Sequence, residues 1–259
     1  MASKGSYYGK FRANNPELEK SRISGSLSEE GRKIFEEGRV ILIDKPLHWT
    51  SFDVVRKIRG ALRIKKIGHA GTLDPLASGL LILCTGKFTK KINEYMGMTK
   101  EYTGTIILGA STPTYDLESE PVDFQDYSTV TKEAIMLAAG EFEGDILQKP
   151  PVYSAIKKDG KPLYELARRG KEVEPEPRPV HIAKFEIIRF ELPVVEFRVV
   201  CSTGTYIRSL AHDFGQKLGC GAYLGSLRRT KIGDFSVGSA LEPDAFLREI
   251  FSTQENQNG

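Results

Sequence analysis

The run GHAGTLDPLASG (Gly68 to Gly79) carries one carboxylate, Asp74, one imidazole, His69, and three glycines. Glycine admits unusual dihedrals and lets other groups approach the backbone closely. A single carboxylate in such a loop is a sensible way to offer a nucleophile to a bulky substrate. Local pattern supports a second reading more readily: Asp74 followed by Pro75 has the form of a helix N-cap with proline at N1. Against that reading, such a helix would meet Gly79 after one turn. His69 reads as a polar aromatic residue in a flexible turn. The loop by itself leaves both readings of Asp74 open.

Other chemistries are excluded more firmly. Thr85-Gly86-Lys87-Phe88-Thr89 has the centre of a phosphate-binding P-loop, but that motif needs Gly at 81 and Ser or Thr at 88, where the chain has Leu81 and Phe88. Gly219-Cys220-Gly221 follows a helical pattern instead of a strand, and the next glycine, Gly225, is one residue late for a dinucleotide loop. His48, His69, His181 and His212 lack metal-ligand spacing, and no G-x-S-x-G elbow occurs. Cys84, Cys201 and Cys220 form no C-x-x-C pair and read as reduced core thiols. No metal and no cofactor is expected.

The elements that must position Asp74 follow from hydrophobic pattern. Val40 to Ile43 is a short buried strand ended by Asp44-Lys45-Pro46. Ser51 reads as the N-cap of a helix with Val54, Val55, Ile58 and Leu62 on its inner face. Arg56, Lys57, Arg59, Arg63, Lys65 and Lys66 follow on the other face and beyond, a solvated face or a phosphate contact just before Gly68. Leu80 to Cys84 reads as a strand, and Thr89 to Met98 as a helix with Ile92, Tyr95 and Met96 inward. Lys100 to Leu108 alternates as a strand. Thr131 to Ala139 is helical, and Leu163 to Arg169 is a short helix. Val180 to Arg189 and Val194 to Ser202 form an antiparallel pair, and Thr205 to Leu218 a helix closed by Gly219. Tyr223 to Arg228 and Ile232 to Val237 are late strands, and Pro243 to Phe251 is a last helix. The mixture favours an α+β fold over a doubly wound one, with a mostly antiparallel central sheet flanked by helices.

The chain has 259 residues, 40% hydrophobic and 27% charged, with a net charge of +3. These values suit a soluble globular protein of one large domain or two small ones. The slight positive excess permits a polyanionic partner without requiring one. No run approaches the ~20 apolar residues of a membrane span, and the polar N-terminus has no apolar core of a signal peptide. A cytoplasmic location is expected. Residues 1–37 read as a polar, mobile arm with one short helix from Ser28 to Glu37, and 252–259 as a disordered tail.

Four ordered stretches carry a family resemblance. They are GHAGTLDPLASGLLILCTGKFTK (Gly68 to Lys90), KEYTGTIILGASTPTYD (Lys100 to Asp116), QKPPVYSAIKKDGKPLYELARRG (Gln148 to Gly170) and CSTGTYIRSLAHDFGQKLGCGAYLGSLRRT (Cys201 to Thr230). Together they resemble the TruB family of tRNA pseudouridine synthases, and Pro75 to Gly79 is more similar to its stand-alone bacterial branch than to the guide-RNA-dependent synthases. The resemblance implies isomerisation of the tRNA T-loop uridine at position 55, with the base flipped from its stack. It implies that Asp74 is the catalytic carboxylate, that Arg208 pairs with it, and that Tyr102 stacks on the flipped base in a cleft across the sheet. His69 fills the vacated stack, Tyr206 and Leu227 line the uracil pocket, and Lys90 supports the site or contacts phosphate. Attack at C1′, attack at C6 and a glycal route all remain open. The catalytic domain is expected over 38–251, with an RNA-clamping insertion at 148–179. The chain departs from many family members in having about 22 residues after Val237, so no additional C-terminal RNA-binding domain is expected. The expected partner is the tRNA T-arm, with no guide RNA and no membrane, and the protein is expected to be a monomer.

Overall fold

The computed structural model describes residues 25–154, 156–158, 160–163 and 174–255. The chain divides into two compact units, one built from Met1–Gly97 with Arg229–Gly259 and one from Met98–Arg228.

The first unit is organised on β3 (Ala77–Thr85). Strand β1 (Val40–Lys45) runs antiparallel to it from Val40 opposite Cys84 to Lys45 opposite Gly79. Strand β2 (Ile67–Ala70) pairs with the second half of β3, from Ile67 opposite Thr85 to Ala70 opposite Ile82. The strand extends beyond the apolar run Leu80 to Cys84 at both ends and is buried at nearly every position, as expected of a strand covered on both faces. Helix α1 (Glu29–Glu37) is capped by the Ser28 side chain, which accepts from the Gly31 N–H. A nine-residue helix is marginal alone. Phe35 and neighbouring Leu27 are buried in the core, at roughly 2 kcal/mol each. The short helix expected at Ser28 to Glu37 is present, but residues 25–37 pack on this unit instead of forming part of a mobile arm, while 1–24 lie outside the described residues.

Helix α2 (Ser51–Leu62) buries Val54, Val55, Ile58 and Leu62 as its pattern requires. Its N-cap is Thr50 and not Ser51: Thr50 and Asp53 form a reciprocal capping box. That frees the Ser51 hydroxyl for another task. After β3 comes a 3₁₀ turn (Gly86–Lys91) and the short helix α3 (Ile92–Gly97). Tyr95 is buried, but Met96 is exposed and Ile92 only half-buried. The tighter 3₁₀ winding before α3 rotates its inner face away from the one that a continuous helix would present. The late strands are one continuous β10 (Ala222–Ile232) and a two-residue β11 (Phe235–Ser236). Helix α6 (Pro243–Glu255) runs past Phe251, so residues read as tail prolong it by a turn. Its Phe246, Leu247 and Phe251 join the core of this unit.

The second unit is an antiparallel sheet. Strand β4 (Lys100–Leu108) pairs with β9 (Val194–Cys201), β9 with β8 (Arg178–Glu191), and β8 with β5 (Gly144–Gln148). The first half of β10 lies beside β4, where a side chain on Gly104 would come 2.2 Å from the Ser226 carbonyl. Helices α4 (Lys132–Glu141) and α5 (Ile207–Leu218) cover the sheet, and Phe142, Phe185, Phe197 and Phe214 interlock at ring distances of 5.4–6.5 Å. Two-residue strands β6 (Lys157–Lys158) and β7 (Lys161–Pro162) pair with each other inside the expected insertion. The helix expected at Leu163 to Arg169 falls, after Leu163, outside the described residues. The three thiols are free and buried, and burial pushes Cys84 and Cys201 up to about 11, as inert core groups require. No helix among the described residues is long and apolar enough to cross a membrane.

Candidate active site

In the first unit Asp74 stands on a turn, not at a helix start. The Asp74 carbonyl accepts from the Ala77 N–H at 3.0 Å, and strand β3 begins at once. Gly79 explains why the helix fails. Its φ is 104°, and a side chain there would come 2.3 Å from the Arg229 carbonyl, so the position demands glycine in a strand against β10. The turn is tied down on both sides of Asp74. The Ser51 hydroxyl accepts from the Leu73 N–H at 2.9 Å and faces the Leu73 carbonyl at 3.3 Å. The His48 N–H donates to the Pro75 carbonyl at 2.7 Å. Asp74 itself is half-buried.

Two cations beneath the turn were missed from sequence. Lys45 is 0% exposed, and its ammonium donates to the carbonyls of Pro46 (2.9 Å) and Trp49 (2.7 Å). Arg229 is 1% exposed, with Nε on the Leu80 carbonyl at 2.8 Å and a terminal nitrogen on the Gly71 carbonyl at 3.2 Å. Burial pushes Lys45 down to about 7, although the Asp74 carboxylate pulls it up; Arg229 pushes it down further. The available signal was register: Lys45 lies opposite Gly79, and Arg229 contacts that glycine, so the three are cross-strand neighbours.

His69 lies within β2 opposite Leu83, half-buried, and not in a flexible turn. Burial lowers its pKa first, and Arg229 adds to the effect, so the ring favours its neutral form. Lys90 is exposed near the end of the 3₁₀ turn. The nine-residue β3, roughly 27 Å long at 3.3 Å per residue, separates it from the Asp74 turn. It is not brought to that turn.

In the second unit Arg208 sits in the first turn of α5, 5% exposed. Its guanidinium donates to the Thr114 carbonyl at 3.2 Å and the Tyr153 carbonyl at 3.0 Å, and faces the buried Asp116 carboxylate at 3.7 Å. Thr112 and Thr114 hydroxyls donate to the Asp116 carbonyl, and Asp116 Oδ1 accepts from the Glu118 N–H. Within the polar Ser111–Ser119 stretch Thr112, Thr114 and Asp116 are thus buried and bonded to one another. Tyr206 is the N-cap residue of α5 but supplies no side-chain cap. Buried Gln148 acts on its peptide instead: the amide oxygen accepts from the Tyr206 N–H at 2.7 Å, and the amide nitrogen donates to its carbonyl at 3.0 Å. Tyr102 is buried in β4 opposite Val199, and Leu227 is half-buried in β10. Asp116 and Gln148 lie inside two of the motifs, but nothing local in the sequence marks either polar side chain as buried.

Two family models match consecutive stretches. The TruB family pseudouridylate synthase N-terminal domain covers residues 59–207, and the tRNA pseudouridylate synthase B C-terminal domain covers 208–258. The chain belongs to the TruB family. It is 54% identical over 221 residues to the tRNA pseudouridine synthase B of Flavobacterium johnsoniae, covering 83% of this chain and 96% of that one. Identity to the enzyme of the same name from Chloroherpeton thalassium is 50% over 224 residues, covering 85% and 93%. Among solved structures, an H/ACA RNP bound to a substrate RNA containing 2′-deoxyuridine matches with TM-score 0.66 and 27% identity, over 94% of this chain and 63% of that one. A Cbf5-Nop10-Gar1 complex matches with TM-score 0.63 and 33% identity, over 81% and 53%. The chain therefore spans little more than half the length of these solved relatives. Among the described residues no group of three His, Cys, Asp or Glu side chains is placed to hold a metal ion.

Proposed function

We propose that this protein isomerises the T-loop uridine of tRNA, position 55, to pseudouridine, with Asp74 as the reacting carboxylate. The observation that carries the reading is the Asp74 turn, pinned at Leu73 and Pro75 in a chain of the TruB family. The reaction breaks the N1–C1′ bond, turns the uracil and rejoins it through C5. The proton leaving C5 is balanced by one taken up at nitrogen, so atoms and oxidation state are conserved. A carboxylate taken out of water needs cationic neighbours, and Lys45 and Arg229 supply positive charge under the turn. Their hydrogen bonds to four backbone carbonyls fix the loop that aims Asp74.

Tyr102 stacks on the flipped base, Tyr206 and Leu227 wall the uracil, and Arg208 supplies the positive charge that Asp74 needs as the reaction proceeds. Neutral His69 takes the place that the base leaves in the RNA stack, and exposed Lys90 contacts phosphate. The insertion at 148–179 clamps the T-arm. The enzyme works on tRNA in the cytoplasm, as a monomer and without a guide RNA.

The test is to incubate the protein with unmodified tRNA and map pseudouridine. Product at position 55 from the wild type, none from Asp74→Asn, and none from tRNA lacking the T-loop uridine are expected. Binding without product from the wild type would reduce the protein to an RNA binder. Unchanged turnover in the variant would remove Asp74 from the chemistry.

A further inference from the structure

The exposed face of α2 has a composition that the core does not explain. Phe52 is 59% exposed in the first turn, and Leu47 just before the helix is 50% exposed. Arg56 and Arg59 follow Phe52 at i+4 and i+7, so all three lie within about 60° around the axis and about 10 Å along it. Exposed Arg63 ends the helix, and exposed Lys65 and Lys66 come next. The acid of this helix, Asp53, is turned inward and spends its oxygens on the Thr50 cap and on Arg56. That salt bridge holds Arg56 in place while its side chain stays 51% exposed.

This face is rigidly joined to the Asp74 turn. Ser51, next to Phe52, holds the Leu73 peptide, and His48, next to Leu47, holds the Pro75 carbonyl. An exposed ring beside a row of arginines, with no exposed carboxylate on the helix, suits a nucleic-acid strand better than a protein. Bases stack on the ring, and phosphates meet the cations.

We infer that Phe52, with Arg56, Arg59 and Arg63, forms an RNA-binding strip: Phe52 stacks on an unpaired base near the reacting uridine, and the arginines track the adjoining phosphates. The strip rests on the tRNA reading above and adds a binding site outside the residues assigned there. A single stacked base is worth about a tenfold change in affinity. A phosphate contact to a single strand changes the slope of log K against log salt by about 0.7.

The experiment measures the Kd of a T-arm stem-loop RNA across a salt series. Phe52→Ala is expected to weaken binding about tenfold with an unchanged salt slope, and Phe52→Trp to restore it. Phe52→Leu, which keeps apolar bulk without a π face, is expected to behave like Phe52→Ala. Arg59→Gln is expected to lower the slope by about 0.7. The Leu and Trp variants decide the question even if Phe52→Ala proves unstable. Equal affinity for those two, or a Phe52→Ala affinity within twofold of wild type, would overturn the strip and point to a protein-facing patch. A wild type that neither binds nor modifies the T-arm would overturn the tRNA reading itself, a result distinct from either of these.

Discussion

Ser51 and Gln148 perform the same task in the two units. Each uses one buried polar side chain to hold both the N–H and the carbonyl of a residue one or two positions before a charged site residue. Ser51 holds Leu73 ahead of Asp74, and Gln148 holds Tyr206 ahead of Arg208. The units differ in how they treat buried charge. In the first, Lys45 and Arg229 hold backbone carbonyls and lie near each other, so like charges crowd and Lys45 drops toward its neutral form. In the second, Arg208 faces a buried carboxylate, Asp116, inside a bonded network. The first unit thus sets two buried cations beside its reacting acid, while the second carries a matched pair.

The largest expected effect tests whether the first unit holds the chemistry. Asp74→Asn keeps the size and turn geometry but removes the charge. Product formation should fall by about 10³-fold or more, with RNA affinity and melting temperature retained. A loss of melting temperature matching the loss of rate would make Asp74 a structural residue like Asp116.

The matched pair predicts the reverse. Asp116→Asn takes a buried carboxylate away from the Arg208 guanidinium and should cost about 3 kcal/mol of stability in denaturant melts. Asp116→Leu with Arg208→Met should cost less than the two single changes added together. Simple additivity would show that the 3.7 Å approach is incidental.

Lys45 gives the next, smaller effect. Its pKa is near 10.5 in the unfolded chain and about 7 when folded. Between these values the unfolded state binds the extra proton, so stability rises with pH. The rise should start near pH 7 and reach about 1 kcal/mol per pH unit. Cys84 and Cys201 act in the opposite direction only above about pH 9, so pH 7 to 8.5 is the window to use. Lys45→Met should flatten the slope in that window, and an equal slope in both proteins would mean that Lys45 stays charged.

The same contrast explains what could be read in the sequence. Strands β1, β4, β8 and β9 and the inner face of α2 follow from two-residue and 3.6-residue periodicity, which depends on local composition. The Asp74 motif was legible for the same reason, being a continuous run. Its conformation was not. Asp-Pro favours a helix start locally, but the close approach of Arg229 to Gly79 imposes a strand, and that contact is 150 residues away in sequence. Lys45 had the appearance of a strand terminator and Gln148 of the first residue of an RNA-clamping insertion. Their burial is set by partners at Trp49 and Tyr206, which no periodicity reports. Met96 shows the same limit at short range, since a 3₁₀ turn before α3 shifts the inward face.

The smallest effects return to the two peptide clamps and ask whether they are equivalent. A hydroxyl has one proton, so the Ser51 pair is uneven, at 2.9 Å and 3.3 Å. Gln148 has a separate donor and acceptor, at 3.0 Å and 2.7 Å, and is 2% exposed. Removing it takes the acceptor from the Tyr206 N–H, while the Tyr206 carbonyl keeps the Leu210 N–H at 3.0 Å, so Gln148→Ala and Ser51→Ala should each cost about 1 kcal/mol. Gln148→Glu discriminates further. It keeps an acceptor for the Tyr206 N–H but turns a second oxygen on the Tyr206 carbonyl, so it should be no better than alanine at neutral pH and should recover as the carboxyl is protonated at acid pH. Full stability of Gln148→Glu at neutral pH would show that the N–H bond alone holds the start of α5, and the two clamps would then be equivalent single-bond devices.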